Sequence, residues 1–565
     1  MVIQSPRTPP SSPLMEPKTS KFNRYTPLLV FVFLCILAVQ AVSSLSIKSP
    51  TADESYHLAS GYIALTERDY HHGKDHPPFV KSFAAFPLLF LDLPLPDIYF
   101  KRKATEWFTF GPEFLFQPQN NVDQIIFLSR LPIVFLSILL GVYVFLWAQK
   151  LYGDKAGLLA LILYVFSPNI LAHSRLVTTD MGATCFIFIA CFYFWSYLND
   201  RSFRSLCLTS LFFGVALVSK FTAIILFPIF FSFVCAWLLT VYISSRQSNP
   251  YSTEESKPPI SARTLLIHLS VAFLIVLGVL FITYGKNPDP IARYIDGFRT
   301  LREIYFENKP LPIHYLWGMF FTEPAWFYSI IAFLIKTPVP TLILLVWAAL
   351  LGRRTGASLF NTSCVLIPVV LVTLATFFDM KHTGLRRLLP IYPFLFVFIS
   401  RVAISMENIY LSALKKKAAS CLLVILTTWY LVSSIKVYPD YLTYFNDFVG
   451  GSKNGIHYLD DSNIDWGQDL KRLKPVMDQL GIKKIKLMYE RGADPSYYNI
   501  PAEAFTAEDK ALGPQSGYYA ISANYLVRLR TVPTAYGFGP AWKEKEFEPI
   551  AVIGNTIYIF NFDSQ

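Results

Sequence analysis

The sequence predicts an all-α polytopic membrane bundle followed by a soluble α/β domain, and three observations support this fold class. First, 53% of the 565 residues are hydrophobic and only 16% are charged, whereas about 25% of the residues in soluble domains are charged. Second, many apolar stretches reach the roughly 20 residues that a helix needs to cross a bilayer. Third, beyond Tyr438 these long stretches end and short alternating segments follow.

The chain begins with a polar tail and continues with predicted spans. Residues Met1 to Arg24 are rich in Pro, Ser and Thr and basic, which predicts a disordered cytoplasmic tail. About eleven later stretches are long and apolar enough to span. They are Tyr25–Leu45, Gln124–Gln149, Lys155–Ala172, Leu176–Leu198, Phe203–Ser219, Phe221–Ile243, Thr264–Tyr284, Trp326–Leu351, Asn361–Phe378, Leu388–Ile404 and Ala418–Ser434.

Basic residues predict the orientation of these spans. The net charge is +11, but Lys and Arg fall mostly in short loops and tails, so the charge indicates topology and not a nucleic-acid partner. Residues such as Lys150, Arg201, Arg353 and Lys415 mark alternate loops as cytoplasmic. An odd number of spans then places the C-terminus outside. The apolar segment Phe79–Leu91 is too short to span, and we predict a juxtamembrane helix on the outer face.

The change of composition at Tyr438 predicts a second domain. The predicted division is a tail at 1–24, a membrane domain at 25–437 and an extracytoplasmic α/β domain at 438–565. An amphipathic helix is predicted at Asp465–Leu480. Strands are predicted at Ile482–Glu490, Gly517–Ser522 and Ile550–Phe560.

Acidic residues at the outer ends of spans are the candidate catalytic residues. Asp53 and Glu54 open the first outer loop, and Asp180 lies in the first turns of a later span. A carboxylate in a partly dry cavity can serve as a general base. We predict that Asp53 and Asp180 face one membrane-level cavity. The alternative is that both carboxylates cap helices, with Glu54 favouring the positive end of the helix dipole.

Positive charge on the outer face is a candidate anion site. Arg386 and Arg387 precede a span on the side where basic residues are depleted. With Lys81 and Lys220 they could hold a phosphate, since Arg contacts phosphate through two hydrogen bonds. The alternative is contact with anionic lipid headgroups. Further candidates for substrate contact are His76, Arg175 and His382.

The segment from Asp461 to Arg472 is a weak metal candidate. It opens like a calcium-binding loop, but Trp466 stands at the glycine position and Arg472 at the final glutamate position. We predict instead a helix capped by Asp465. No cofactor is certain from the sequence, and a divalent cation is left open.

Four motifs follow one another on the predicted outer face. They are Asp53-Glu54, His76-Pro77-Pro78 with Lys81, Thr179-Asp180-Met181 and Ser219-Lys220-Phe221. In this set, over about residues 25–435, the chain resembles the GT-C superfamily of membrane glycosyltransferases. Within that superfamily it resembles the protein O-mannosyltransferases and the bacterial lipid A aminoarabinose transferase.

The resemblance implies a bundle with a lateral lipid groove and a polyprenyl-phosphate sugar as donor. The acceptor would be a lipid, a glycan or a protein, and the location a bacterial inner membrane. The segment from Tyr438 to Leu470 resembles uncharacterised bacterial members and not the sugar-binding repeats of the eukaryotic enzymes, which argues against a protein Ser/Thr acceptor. Two alternatives stay open. One is a transporter or flippase with an acidic ion site, although no internal repeat is evident. The other is a scaffold.

Overall fold

Long apolar helices dominate the structure. The computed structural model describes residues 24–100, 107–247, 261–285, 289–304, 314–323, 325–352, 358–379, 384–404, 412–544 and 547–563. Within these ranges seven helices are long and apolar enough to cross a membrane, which confirms the predicted polytopic bundle. They are Thr26–Leu45, Val122–Tyr152, Thr179–Asp200, Phe221–Ile243, Ala262–Tyr284, Leu359–Thr376 and Ala413–Lys436.

One predicted span is bent into two helices. The segment predicted as Trp326–Leu351 consists of Tyr328–Lys336 and Val339–Leu351, whose axes differ by 108°. Pro338 lies at the break, and proline disfavours a helical conformation in the residue before it. Counting this pair as one span gives up to eight in the described residues, fewer than the eleven predicted.

The remaining predicted spans are shorter helices. The segment predicted as Lys155–Ala172 is divided into Asp154–Val165 and Pro168–His173. Ser167 caps the second of these, since its hydroxyl accepts from the backbone N–H of Ile170. Two further apolar helices are below spanning length, namely Phe203–Ser219 and Ile391–Ile404.

Short helices form a layer at one end of the bundle. Ala52–Thr66 packs against Phe79–Ala85, which continues as the 3₁₀ helix Phe86–Phe90. The packing is close at Gly61, where a Cβ atom would lie 2.2 Å from the carbonyl oxygen of Lys81. The predicted short helix therefore exists, and its position on the outer face stays a prediction. Other helices outside the spans are Asp97–Phe100, Trp107–Leu115 and Pro290–Arg302.

The C-terminal region contains a mixed sheet. Strands β1 (His314–Leu316) and β2 (Met319–Phe321) form a hairpin that packs beside the C-terminal region. The strands of the larger sheet are β3 (Ile485–Met488), β4 (Ala502–Glu503), β5 (Tyr518–Ser522), β6 (Ala551–Ile553) and β7 (Ile557–Asn561). The described part of this sheet has the order β4-β3-β5-β7-β6. Strand β3 is parallel to β4 and β5, whereas β7 is antiparallel to both its neighbours.

Two sequence predictions for this region are wrong in detail. The strand predicted at Ile550–Phe560 is the β6–β7 hairpin, which turns at Gly554 and Asn555 with φ of 57° and 60°. The helix predicted from Asp465 begins only at Leu473. Asp465 does not cap it, because its carboxylate accepts from the backbone N–H groups of Gly467 and Asn524. The α-helices are Leu473–Gln479, Ala507–Leu512, Ala523–Thr531 and Ala541–Glu544.

The C-terminal region is fastened to the bundle. Tyr441, Leu442 and Trp466 belong to the hydrophobic core of the membrane helices. The ammonium of Lys336 donates to the carbonyl oxygen of Leu442 at 2.7 Å and to that of Asn463 at 2.5 Å. These contacts fix the segment around Trp466 at the end of the bundle, where the candidate site residues lie.

Candidate functional site

The first turn of helix Ala52–Thr66 separates its two carboxylates. Thr51 is the N-cap, and its side chain and that of Glu54 form a reciprocal capping box. Asp53 therefore does not act as the cap, and its side chain is 33% exposed. Glu54 is fully buried. The two neighbouring acids thus have different environments.

Glu54 is held by a buried ion pair. Arg130 donates from Nε and Nη2 to its two carboxylate oxygens at 2.8 and 2.6 Å, and the backbone N–H of Val177 donates to the same carboxylate at 2.9 Å. Burial alone would raise the pKa of Glu54, but the charge and hydrogen bonds of Arg130 lower it below the usual value. Both carboxylate oxygens accept hydrogen bonds from these donors and the side chain is fully buried, so in this geometry Glu54 orders the chain.

Asp53 is paired with a predicted anion-binding residue. Nη1 of Arg386 donates to Oδ2 of Asp53 at 2.9 Å, and the guanidinium lies 4.4 Å from the centre of the Trp466 ring. The side chain of Asn463 accepts from the backbone N–H of Leu385 at 2.9 Å, which orients the turn that carries Arg386. The C-terminal region thereby positions this arginine.

Asp180 lies in a second ion pair. Thr178 is the N-cap of helix Thr179–Asp200, so Asp180 is not its cap. The ammonium of Lys220 donates to Oδ1 of Asp180 at 2.6 Å, and both side chains are buried. Lys220 stands directly after helix Phe203–Ser219, where the backbone becomes extended.

Four predicted residues share one cavity, which we call the basic cavity. It has a volume of about 200 Å³ and is lined by Asp180, Lys220, Arg386 and Arg387, together with Asp379. Nε of Arg387 contacts Asp379 at 3.2 Å. The charged lining therefore consists of three cations and two carboxylates. Apolar side chains form the rest of the wall, including those of Ile187, Val372 and Ala375.

A second cavity, the interdomain cavity, lies between the bundle and the C-terminal region. It has a volume of about 410 Å³, and its lining includes Asp53, Arg386, Trp466, Glu490 and Asn524. The prediction that Asp53 and Asp180 face one cavity is therefore wrong, since they line different ones. Arg386 belongs to the lining of both cavities.

Lys81 and His76 lie elsewhere. The ammonium of Lys81 donates to the carbonyl oxygens of Gly73 and His76 at 2.5 and 2.9 Å, and both residues line a small cavity apart from the basic cavity. Burial lowers the pKa of Lys81 to about 8, against the opposing charge of Asp75. Nδ1 of His76 is 2.9 Å from Asp75, whose other oxygen accepts from the Tyr56 hydroxyl.

The remaining predicted residues have other positions. Arg175 is buried and donates to the backbone carbonyl oxygens of Ser44 and Pro439 at 2.7 and 3.0 Å, so it joins the first span to the C-terminal region. His382 lies outside the described residues. Within the described residues there is no group of three or more His, Cys, Asp or Glu side chains that could hold a metal ion.

Sequence reasoning missed several residues of the site. Arg130 lies inside a span. A charged residue at such a position indicates a function or an ion pair, so the sequence contained a signal for Arg130. Glu490 and Asn524 gave no such signal, and Asn463 and Trp466 were noted only as part of the segment from Asp461 to Arg472. Each acts on residues far away in the sequence, such as Asn463 on the turn of Arg386.

The fold and the site define a class of protein: a polytopic membrane protein with a basic, partly apolar cavity at one end of its bundle. Residues 122–249, which include Asp180 and Lys220, match the family model described as dolichyl-phosphate-mannose-protein mannosyltransferase. The match covers less than half of the chain, and over that segment it confirms the predicted resemblance. No curated protein sequence matches the chain.

Three solved structures are similar at low sequence identity. ArnT from Cupriavidus metallidurans, in the apo state, is 11% identical with a TM-score of 0.47, covering 96% of this chain and 99% of that chain. The Archaeoglobus fulgidus oligosaccharyltransferase is 11% identical with a TM-score of 0.42, covering 73% and 56%. The S. cerevisiae protein O-mannosyltransferase Pmt1–Pmt2 complex is 18% identical with a TM-score of 0.32, covering 52% and 38%.

Proposed function

We propose that the protein is an integral-membrane glycosyltransferase that moves a sugar from a polyprenyl-phosphate donor to an acceptor on the outer face of the membrane. The observation that carries this proposal is Arg386, which pairs with the carboxylate of Asp53 and also lines the basic cavity. A base and an anion site that share one arginine suit a reaction that deprotonates an acceptor and releases a phosphate. The family match over residues 122–249 supports the donor class.

The basic cavity fits the phosphate end of such a donor. A phosphodiester has one negative charge, and Lys220, Arg386 and Arg387 offer three cations in the lining of the cavity. Arginine can contact phosphate oxygens through two parallel hydrogen bonds. The apolar wall that includes Ile187 and Val372 would contact the first isoprene units.

The reaction follows from these positions. The carboxylate of Asp53 accepts the proton of the acceptor hydroxyl as its oxygen attacks the anomeric carbon of the donor. The bond from that carbon to the phosphate oxygen breaks, and its electron pair leaves with the phosphate, which gains negative charge. Nε of Arg386 has no hydrogen-bond partner among the described residues, so this arginine retains a donor that can stabilise the leaving phosphate.

Other residues position this machinery. Asp180 holds the ammonium of Lys220 at the wall of the basic cavity. Glu54 and Arg130 hold the turn that carries Asp53. In this proposal Lys81 and Arg175 order backbone, whereas His76 and His382 stay candidates for substrate contact. The distribution of Lys and Arg supports a cytoplasmic N-terminus and an extracytoplasmic C-terminal domain. The bacterial inner membrane is proposed from the resemblance to bacterial members of the superfamily.

Donor binding and consumption test the proposal. The full chain in lipid nanodiscs would be incubated with radiolabelled polyprenyl-phosphate sugars, and both binding and release of polyprenyl phosphate would be measured. We expect the parent to bind donor, and to release polyprenyl phosphate once a lipid or glycan acceptor is added. Lys220→Met should bind donor about tenfold or more weakly, since a charged hydrogen bond is lost. Lys474→Met is the control, because Lys474 pairs with Asp478 on the surface. Donor transport across a bilayer without sugar transfer would favour a transporter instead.

A further inference from the structure

The C-terminal domain contacts the helix that carries Asp53 and provides most of the described lining of the interdomain cavity. The backbone N–H of Ala52 donates to the carbonyl oxygen of Trp466 at 2.9 Å. A Cβ atom on Gly492 would lie 2.8 Å from the same nitrogen of Ala52 and 2.8 Å from the oxygen of Pro50. Two segments of the domain therefore touch the first turn of the Asp53 helix directly.

The chemistry of this cavity is balanced between acids and bases. Its described lining includes the carboxylates of Asp53, Asp461 and Glu490 and the guanidinium groups of Arg386, Arg491 and Arg528. Such a lining suits a neutral ligand with many hydroxyl groups, because each hydroxyl can donate to a carboxylate and accept from a guanidinium. An aliphatic chain would displace water from these charged groups without offering them a hydrogen bond.

Further side chains fit the same kind of ligand. Tyr525 lines the cavity and offers an aromatic ring with a polar tip, which can contact the C–H face of a sugar ring. Nδ2 of Asn524 is 3.3 Å from Oε2 of Glu490, so the carboxylate is oriented. The volume of about 410 Å³ lies within the range of small-molecule sites, about 300–1,000 Å³.

We propose that the interdomain cavity is the acceptor site and that it binds a saccharide, whose hydroxyl group is presented to Asp53. This inference rests on the proposed glycosyltransferase activity. It assigns a binding role to Glu490, Arg491 and Tyr525 of the C-terminal domain. The pKa of Glu490 supports it: burial and the nearby Asp465 and Asp461 raise that pKa to about 7, so the side chain can donate as well as accept near neutral pH.

The test separates donor from acceptor. The full chain in nanodiscs receives radiolabelled polyprenyl-phosphate sugars with either methyl glycosides of common hexoses or a neutral Ser- and Thr-containing peptide. We expect transfer to a glycoside. Glu490→Gln and Tyr525→Ala should raise the KM for that glycoside about tenfold or more, with the donor Kd unchanged, since each loses a contact to the acceptor alone. Glu503→Gln, in an exposed pair with Lys484, is the control.

Other outcomes overturn the inference in distinct ways. Transfer to the peptide and not to any glycoside would exclude a saccharide acceptor. A parent-like glycoside KM in both variants would place the acceptor elsewhere, while the proposed activity would stand. If the parent binds no donor in the absence of acceptor, the proposed function fails and this inference with it. If Glu490→Gln does not fold, Arg491→Met provides the same comparison from an exposed position.

Discussion

At the scale of single residues, the positions of charged side chains at the ends of apolar spans predicted which of them belong to the candidate site, but not which residues they pair with. Asp180, Lys220, Arg386 and Arg387 were all candidates, because charge at the end of an apolar span is costly unless used. The structure brings these four together. The pairing of Asp53 with Arg386 could not be predicted, since 333 residues separate them.

Asp53 gives the first prediction. Asp53→Asn should lower transfer by about 10²–10⁴-fold, because an amide of the same size cannot accept the proton. The unfolding temperature should stay close to that of the parent, since Thr51 and Glu54 cap the helix without it. The control is Asp123→Asn, which removes a carboxylate from an exposed pair with Lys471. Full activity of Asp53→Asn would mean that the base is another group.

Arg386 and Arg387 give the second prediction. Either residue changed to Met should weaken donor binding and slow turnover together, because the lost contacts strengthen as the leaving phosphate gains charge. Lys should rescue only in part, since its ammonium is a point charge without the planar fork of arginine. Donor Kd and initial rate would be measured in the same lipid. The matched change is Arg299→Met on an exposed helix face, and an equal effect there would make the response nonspecific.

At the scale of elements, hydropathy predicted the long helices and missed their breaks. The signals for the breaks were present, because Pro338 and the pair Gly554-Asn555 are typical of a kink and of a hairpin turn. Arg130 shows what could not be predicted. It lies in one span and pairs with Glu54 at the start of a different helix, and only packing brings the two together.

The Glu54–Arg130 pair gives the third prediction. Glu54→Gln should destabilise the protein by about 3–5 kcal/mol, because the change leaves the buried charge of Arg130 without compensation. Thermal unfolding in nanodiscs measures the effect. Glu503→Gln, in an exposed pair, should cost at most about 1 kcal/mol. Equal unfolding temperatures for the two variants would show that the buried pair does not stabilise the fold.

Gly492 gives the fourth prediction, which concerns the loop between β3 and β4. Gly492→Ala should reduce transfer, because its Cβ atom would push against the backbone of Pro50 and Ala52. Gly481→Ala is the control, since Gly481 also has a positive φ but a Cβ atom there would meet no atom within 4 Å. Initial rates are compared at matched unfolding temperature. If the two variants are equally active, the contact of this loop with the Asp53 helix does not matter for the reaction.

At the scale of the whole molecule, the sequence predicted two domains but not their contact. The residues beyond Tyr438 include the mixed sheet, whose first strand begins at Ile485. The division at residue 437 stays a prediction, because Tyr441 and Trp466 pack into the core of the bundle. Alternating strands predict a sheet but carry no information about the surface on which it rests. For this reason the interdomain cavity could not be derived from the sequence.

Carboxylates at this contact couple stability to pH, which is the last prediction. Burial, with the nearby Asp465 and Asp461, raises the pKa of Glu490 to about 7, whereas an unfolded glutamate titrates at about 4.3. Between these values the folded protein binds more protons than the unfolded chain, so this group contributes less stability as pH rises from about 4 to 7.

The pKa of His57 is lowered by burial, so the contribution of His57 to stability increases as pH rises. The comparison is therefore between the parent and Glu490→Gln, in which the contribution of His57 cancels. We expect the stability of the parent relative to the variant to fall between pH 5 and pH 8, as measured by unfolding temperature in nanodiscs. A constant difference over that range would show that Glu490 titrates as an ordinary exposed acid and is not desolvated by the domain contact.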